Sequence, residues 1–170
     1  MKLIIGNKNY SSWSLRGWLA AKQSGLSFEE ITVPMFGEMW DAMKSGDGGT
    51  QPSSGKVPIL WDDEAVVWDS LAILEYLADK VGRDRFWPKD DAARAMARAM
   101  VAEMHSSFQA LRSECSMNVR KRFDDENNSD ALHSSSKSAF KSSSSSSRRI
   151  NTSYEECFII FLIINRKKSK

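Results

Sequence analysis

The sequence predicts an α/β domain of order β-α-β-α-β-β-α, followed by a fragment of an all-α domain and a disordered tail. Three observations predict it. Short apolar or alternating runs separated by turn residues mark four strands. Two segments with helical spacing are closed by glycine. Composition then changes near Phe123, where a serine-rich stretch begins.

Lys2 to Gly6 reads as a short buried strand. Ser14 to Ser24 follows as a helix, with Leu15, Trp18, Leu19 and Lys22 spaced along it and Gly25 as its stop. Phe28 to Val33 alternates as a strand and ends at Pro34. Residues 34–55 form a long connection with one helical patch near Glu38 to Lys44. Val57 to Trp61 and Ala65 to Trp68 flank Asp62-Asp63-Glu64, a hairpin signal. Ser70 to Val81 reads as a helix with Leu71, Leu74, Leu77 and Val81 on one face, closed by Gly82. A helix between the first two strands predicts parallel pairing, and the short turn between the last two predicts antiparallel pairing.

After the linker GRDRFWPKDD, Asp90 or Asp91 caps a long helix expected over about 92–114. Met96, Met100, Met104 and Phe108 recur every four residues on it, the ordinary spacing of a buried face, which needs partner helices. Residues 1–123 hold all six Trp and all eight Met, and their charges balance at 16 basic and 16 acidic. Residues 124–170 hold 13 of the 26 serines, including Ser142 to Ser147. That composition buries too little apolar area to offset the entropy of ordering, so 124 to about 153 is expected to be disordered. Phe158 to Ile164 is β-prone and uncharged, an aggregation-type segment. The expected domains are 1–82, 83–123 and 124–170, the last a low-complexity or aberrant tail.

Composition removes several classes of function. A net charge of +2 in 170 residues gives no electrostatic footprint for nucleic acid. Two distant cysteines, Cys115 and Cys157, exclude a disulfide scaffold or a cysteine zinc site and suit a reducing compartment. His105 and His133 make no metal pair, so no metal is expected. No apolar run has the roughly 20 residues of a membrane span, and Gly6 to Asn9 cut the opening run short of a signal peptide. A cytoplasmic protein is expected.

The element order is that of a thioredoxin-like layout, and three motifs narrow it: SSWSLRGWLAAKQSG after the first strand, SGKVPIL at 54–60 and VVWDSLAILEYLADK at 66–80. Together they resemble the amino-terminal half of serine-type cytosolic glutathione S-transferases. The serine pair before an arginine looks most like zeta-type and related bacterial members. The resemblance extends to about residue 122 and includes the first helix of that family's helical domain. It implies a truncated helical domain here, because residues 124–170 do not resemble the later helices. Asp69 stands where many members have glutamate. Trp13 stands where zeta-type members often have cysteine, which argues against the isomerase variant of the chemistry.

The resemblance implies glutathione as co-substrate, a small electrophile as second substrate and a homodimer. Such an enzyme must hold the tripeptide's sulfur as thiolate at neutral pH. Lowering a thiol pKa by about 2 units requires about 2.7 kcal/mol in favour of the anion. A hydroxyl donating to charged sulfur supplies roughly 1.5–3 kcal/mol, and a helix N-terminus roughly 0.3–2 kcal/mol. By the match, Ser11 or Ser12 donates to the sulfur; the same serines can equally serve as helix caps. Val57-Pro58 resembles the family's cis-proline step, which turns the Val57 backbone toward the cysteinyl part of the ligand. Lys56 is either an attractor of the anion or a solvated charge. Asp69 and Ser70, at a helix start, are implied in binding the γ-glutamyl group, Ser70 through its carboxylate and Asp69 through its ammonium. Three functional readings follow: a glutathione-dependent transferase or isomerase, a non-catalytic binding or assembly module built on the same fold, and a defective product.

Overall fold

The computed structural model describes residues 1–45, 55–114 and 116–120. The serine-rich tract and Phe158 to Ile164 lie outside the described residues. Met1–Phe86 together with Met117–Val119 form one compact unit, and Trp87–Ser116 belong to a second.

In the first unit the order is β1 (Lys2–Ile5), α1 (Ser12–Ser24), β2 (Glu29–Thr32), α2 (Glu38–Ser45), β3 (Ile59–Asp62), β4 (Ala65–Trp68) and α3 (Ser70–Val81). The strands form one sheet in the order β2-β1-β3-β4. β1 pairs parallel to β2, and β3 pairs antiparallel to both β1 and β4. This is the thioredoxin-like arrangement. Strand ends differ from the expected ones by one or two residues, as fraying ends do.

The two central strands, β1 and β3, are buried on both faces. Ile4 and Ile59 stand opposite each other and cluster with Val33, covered by Ile31, Trp40, Val57, Trp61 and Val66. Leu3 and Leu60, also opposite each other, point to the other face and are fully buried. α3 buries Ser70, Ile73, Leu74, Leu77 and Ala78, an i, i+3, i+4, i+7, i+8 stripe. Leu71 and Val81, expected on that face, are only half-buried.

α1 is buried through small residues. Its buried residues are Ser14, Gly17, Ala20, Ala21 and Ser24, while Leu15, Trp18 and Leu19 are half-buried and Lys22 is exposed. Small residues let the helix axis approach its neighbours. A β-carbon on Gly17 would stand 2.8 Å from two Pro58 ring carbons and 3.8 Å from Ile73 Cδ1. The helix ends at Gly25, whose left-handed φ of 73° closes it with an N–H bond to the Lys22 carbonyl.

Asp62, buried at the end of β3, accepts a hydrogen bond from Tyr76 Oη at 2.7 Å and an ion pair from Lys80, both on α3. The Lys80 ammonium, then the Tyr76 hydroxyl, hold its carboxyl below the ordinary value.

In the second unit, α4 (Asp91–Ser106) is capped by Asp90, which accepts the Ala93 N–H at 2.8 Å. The single helix expected over 92–114 is interrupted. Phe108 takes a left-handed φ of 67°, and a separate helix, α5 (Gln109–Glu114), follows. The Arg112 side chain donates to the carbonyls of Met104 and Ser107, so carbonyls freed by the break gain a donor. The methionine stripe is not a covered face among the described residues: α4 buries none of its residues, and Met96 is 64% exposed.

Gly17→Ala is expected to destabilise the protein. The clash with the proline ring outweighs alanine's better helix propensity, for a net loss of roughly 1–2 kcal/mol. Urea unfolding, read as a lower midpoint at unchanged slope, checks it. Because the Asp62 pKa is lowered on folding, its stabilising contribution is present at neutral pH and is lost as pH falls through that lowered value. Asp62→Asn should therefore lower the melting temperature by a few degrees at neutral pH and flatten its decline toward acid. A melting series over pH would expose an error as two parallel curves.

Candidate functional site

The register of the sheet brings three separated segments to one end. Ile4 faces Ile59, and Ile59 faces Trp68. Just beyond these positions the chain leaves β1 toward Ser11, arrives at β3 through Val57 and Pro58, and leaves β4 into Asp69 and Ser70. The N-termini of α1 and α3 therefore lie at this same end. Each helix start presents N–H groups and the positive end of a dipole.

The α1 start is built from Asn7. Its side chain accepts the Asn9 N–H at 2.8 Å, and its carbonyl accepts the Ser11 N–H at 2.9 Å, which makes a tight turn out of β1. The same loop is tied from far along the chain. Asn9 Nδ2 donates to Asn118 Oδ1 at 3.1 Å, and the Val119 N–H donates to the Asn9 carbonyl at 3.2 Å. Ser11 is the N-cap of α1. Its Oγ accepts the Ser14 N–H at 3.2 Å and donates to Ser14 Oγ at 3.1 Å. Ser14 Oγ in turn accepts the Gly6 N–H at 2.9 Å. Ser11 is 6% exposed and Ser14 not at all. Ser12, the first helical residue, is half-buried; its carbonyl accepts from Arg16 Nε at 3.4 Å. The Arg16 guanidinium lies over the Trp13 ring at 4.0 Å.

The Val57-Pro58 bond is cis. Pro58 is buried against α1, and Val57 is half-buried and precedes the β1–β3 ladder, which begins at Ile59. Lys56 is exposed at the same approach. At the α3 start, Asp69 has φ 78° and ψ 134°, a strained backbone for a residue other than glycine. Its carboxylate accepts the N–H groups of Leu71 at 2.8 Å and Ala72 at 3.4 Å. Ser70 is 3% exposed, and its Oγ is buried with no hydrogen-bond partner among the described residues. A buried hydroxyl in that state costs free energy that a ligand acceptor would recover.

Ser11, Ser12, Lys56, Val57, Pro58, Asp69 and Ser70 thus belong to segments that meet at one end of the sheet. Sequence reading passed over Ser14 as a site residue. Its signal is the S-x-x-S spacing, which puts the second hydroxyl one turn below the cap. The tie from Asn118 has no sequence signal at all.

Comparison with known proteins agrees with the fold. Residues 10–80 match the family described as the N-terminal domain of glutathione S-transferase. A curated relative, glutathione S-transferase GstB of Escherichia coli, is 32% identical over 91 residues, 50% of this chain and 44% of the relative. The chain thus spans less than half the length of the curated relatives it matches. Among solved structures, a glutathione transferase homologue from Burkholderia with bound glutathione is 27% identical with a TM-score of 0.51, over 66% of this chain and 56% of that one. A bacterial maleyl pyruvate isomerase of the zeta class, in its holo form, is 25% identical with a TM-score of 0.55, over 66% of this chain and 50% of that one.

Proposed function

We propose that this chain, whose residues 10–80 match the N-terminal domain of glutathione S-transferase, binds glutathione at the shared end of α1 and α3 and activates its thiol at Ser11. The observation that carries the reading is the buried Ser70 Oγ, unpartnered among the described residues, at a helix start that shares a sheet end with the serine-capped start of α1. An anionic group at the α3 start would meet the Ser70 hydroxyl and the helix N–H groups. Asp69 sits beside it as the natural partner of an α-ammonium. Val57, outside the ladder, offers its backbone N–H and C=O to an extended peptide, as an added strand would. Lys56 adds a positive charge at the approach.

Ser11 is preferred to Ser12 because it combines two effects at one atom. It stands at the N-cap, where the dipole of α1 is strongest, and its oxygen already accepts an N–H, which polarises its O–H as a donor. The thiol proton leaves to water and the sulfur remains as thiolate. A sulfur lone pair then forms a carbon–sulfur bond at the electrophile. With an aryl halide, the carbon–halogen bond breaks and halide departs with its electron pair.

Calorimetry with glutathione and turnover of chlorodinitrobenzene test the reading together. Ser11→Ala should lower kcat/KM roughly 10- to 100-fold and abolish the ultraviolet absorbance of bound thiolate at neutral pH, while Ser12→Ala retains both. Ser70→Ala should weaken glutathione binding about 10-fold or more. Binding without turnover in the wild type would select a non-catalytic binding module instead. An absence of binding would end the proposal.

A further inference from the structure

Ser14 is the most completely buried hydroxyl at the sheet end, and the proposed function leaves it without a task. Among the described residues its Oγ has two hydrogen-bonding neighbours, the Gly6 N–H at 2.9 Å and Ser11 Oγ at 3.1 Å. A hydroxyl carries one donor and two acceptor positions. With Ser11 donating to Ser14, both acceptor positions of Ser14 are filled, and its own proton has no acceptor. A hydrogen bond between two hydroxyls can run either way, and the reverse direction fits the same oxygen positions.

We propose that Ser14 is a positioning residue for thiol activation: its hydroxyl turns to donate to Ser11 Oγ, which frees the Ser11 proton for the sulfur of glutathione. The inference rests on the proposed role of Ser11. In the reversed arrangement Ser14 Oγ still accepts from Gly6 and now places its proton. Ser11 Oγ accepts from both the N–H and the hydroxyl of Ser14, and its single proton points out to the thiolate. No covalent bond forms or breaks, and only the two O–H directions change. Each hydroxyl ends with its proton on an acceptor, which the Ser11-to-Ser14 direction does not achieve. Two incoming bonds also polarise the Ser11 O–H more strongly than one. The side chains of Ser11 and Ser14 bond to each other and to backbone N–H groups alone among the described residues, with no titratable group among their hydrogen-bond partners. The nearest charge on the helix, Arg16, is stacked on Trp13. A shift in the thiol titration would therefore report on this chain of hydroxyls.

The test is the titration of bound glutathione, followed by the carbon-13 shift of its labelled cysteinyl β-carbon in the full chain. Ser14→Ala should raise the pKa of the bound thiol by about half a unit with glutathione affinity within about twofold of wild type. It should lower kcat/KM about threefold at neutral pH and recover it at alkaline pH. A variant that merely loosens the fold would lose activity at every pH. Ser14→Thr, which keeps the hydroxyl, should titrate as wild type. If Ser14→Ala does not fold, Ser14→Cys, with a poor donor at the same atom, takes the same measurement and should show the same rise. An unchanged thiol pKa in the Ser14 variants, with Ser11→Ala raising it, overturns the inference and leaves the function of Ser11 standing. A wild type whose bound thiol titrates like free glutathione overturns both.

Discussion

At Gly17 the backbone of α1 runs so close to the Pro58 ring that there is no room for a β-carbon. That approach sets the depth at which α1 lies, and with it the position of its N-terminus over the end of β1. The small residues Ser14, Ala20, Ala21 and Ser24 on the same face keep the helix low along its length. Gly6 donating to Ser14 pins the turn between strand and helix. A bulkier buried face would lift α1, break that bond and carry Ser11 away from the segments it is meant to meet. Such close packing tolerates no void and little added volume, so the geometry of the cap is held by the core and not by the cap alone.

The two helix starts satisfy their orphan N–H groups in different ways. α1 is closed internally: Ser11 receives the Ser14 N–H, and the hydroxyl chain continues to Gly6. α3 is only partly closed, since Asp69 takes the N–H groups of Leu71 and Ala72 while the Ser70 hydroxyl is buried without a partner among the described residues. Backbone strain at Asp69 is the local cost of aiming this start toward the sheet end. A capping residue and a binding residue can be the same atoms, because both roles require a polar group aimed where the helix N–H groups point.

The second unit has a different character. α4 carries methionines at helical spacing without burying any residue, and its C-terminal carbonyls are served by Arg112 across a break at Phe108. Periodicity marks where apolar contact is sought, but it does not supply the partner.

Much of the fold was legible because its punctuation is local. Gly25, Pro34, the Asp62-Asp63 turn and Gly82 end elements through their own backbone preferences, and α3 announces itself by its stripe. Ser11, Ser12, Val57-Pro58 and Asp69-Ser70 were legible as segments through motif likeness. What the amino-acid order alone could not decide is whatever depends on neighbours distant in the chain. The buried face of α1 is made of glycine, alanine and serine, so no large apolar residue marks it in the sequence. The left-handed turn at Phe108 has no glycine or proline to signal it. The convergence of the three segments follows from Ile4 facing Ile59 and Ile59 facing Trp68, a register set by burial on two sheet faces. The hydroxyl of Ser14 acquires its meaning only from the Gly6 N–H, which strand and helix packing bring to it.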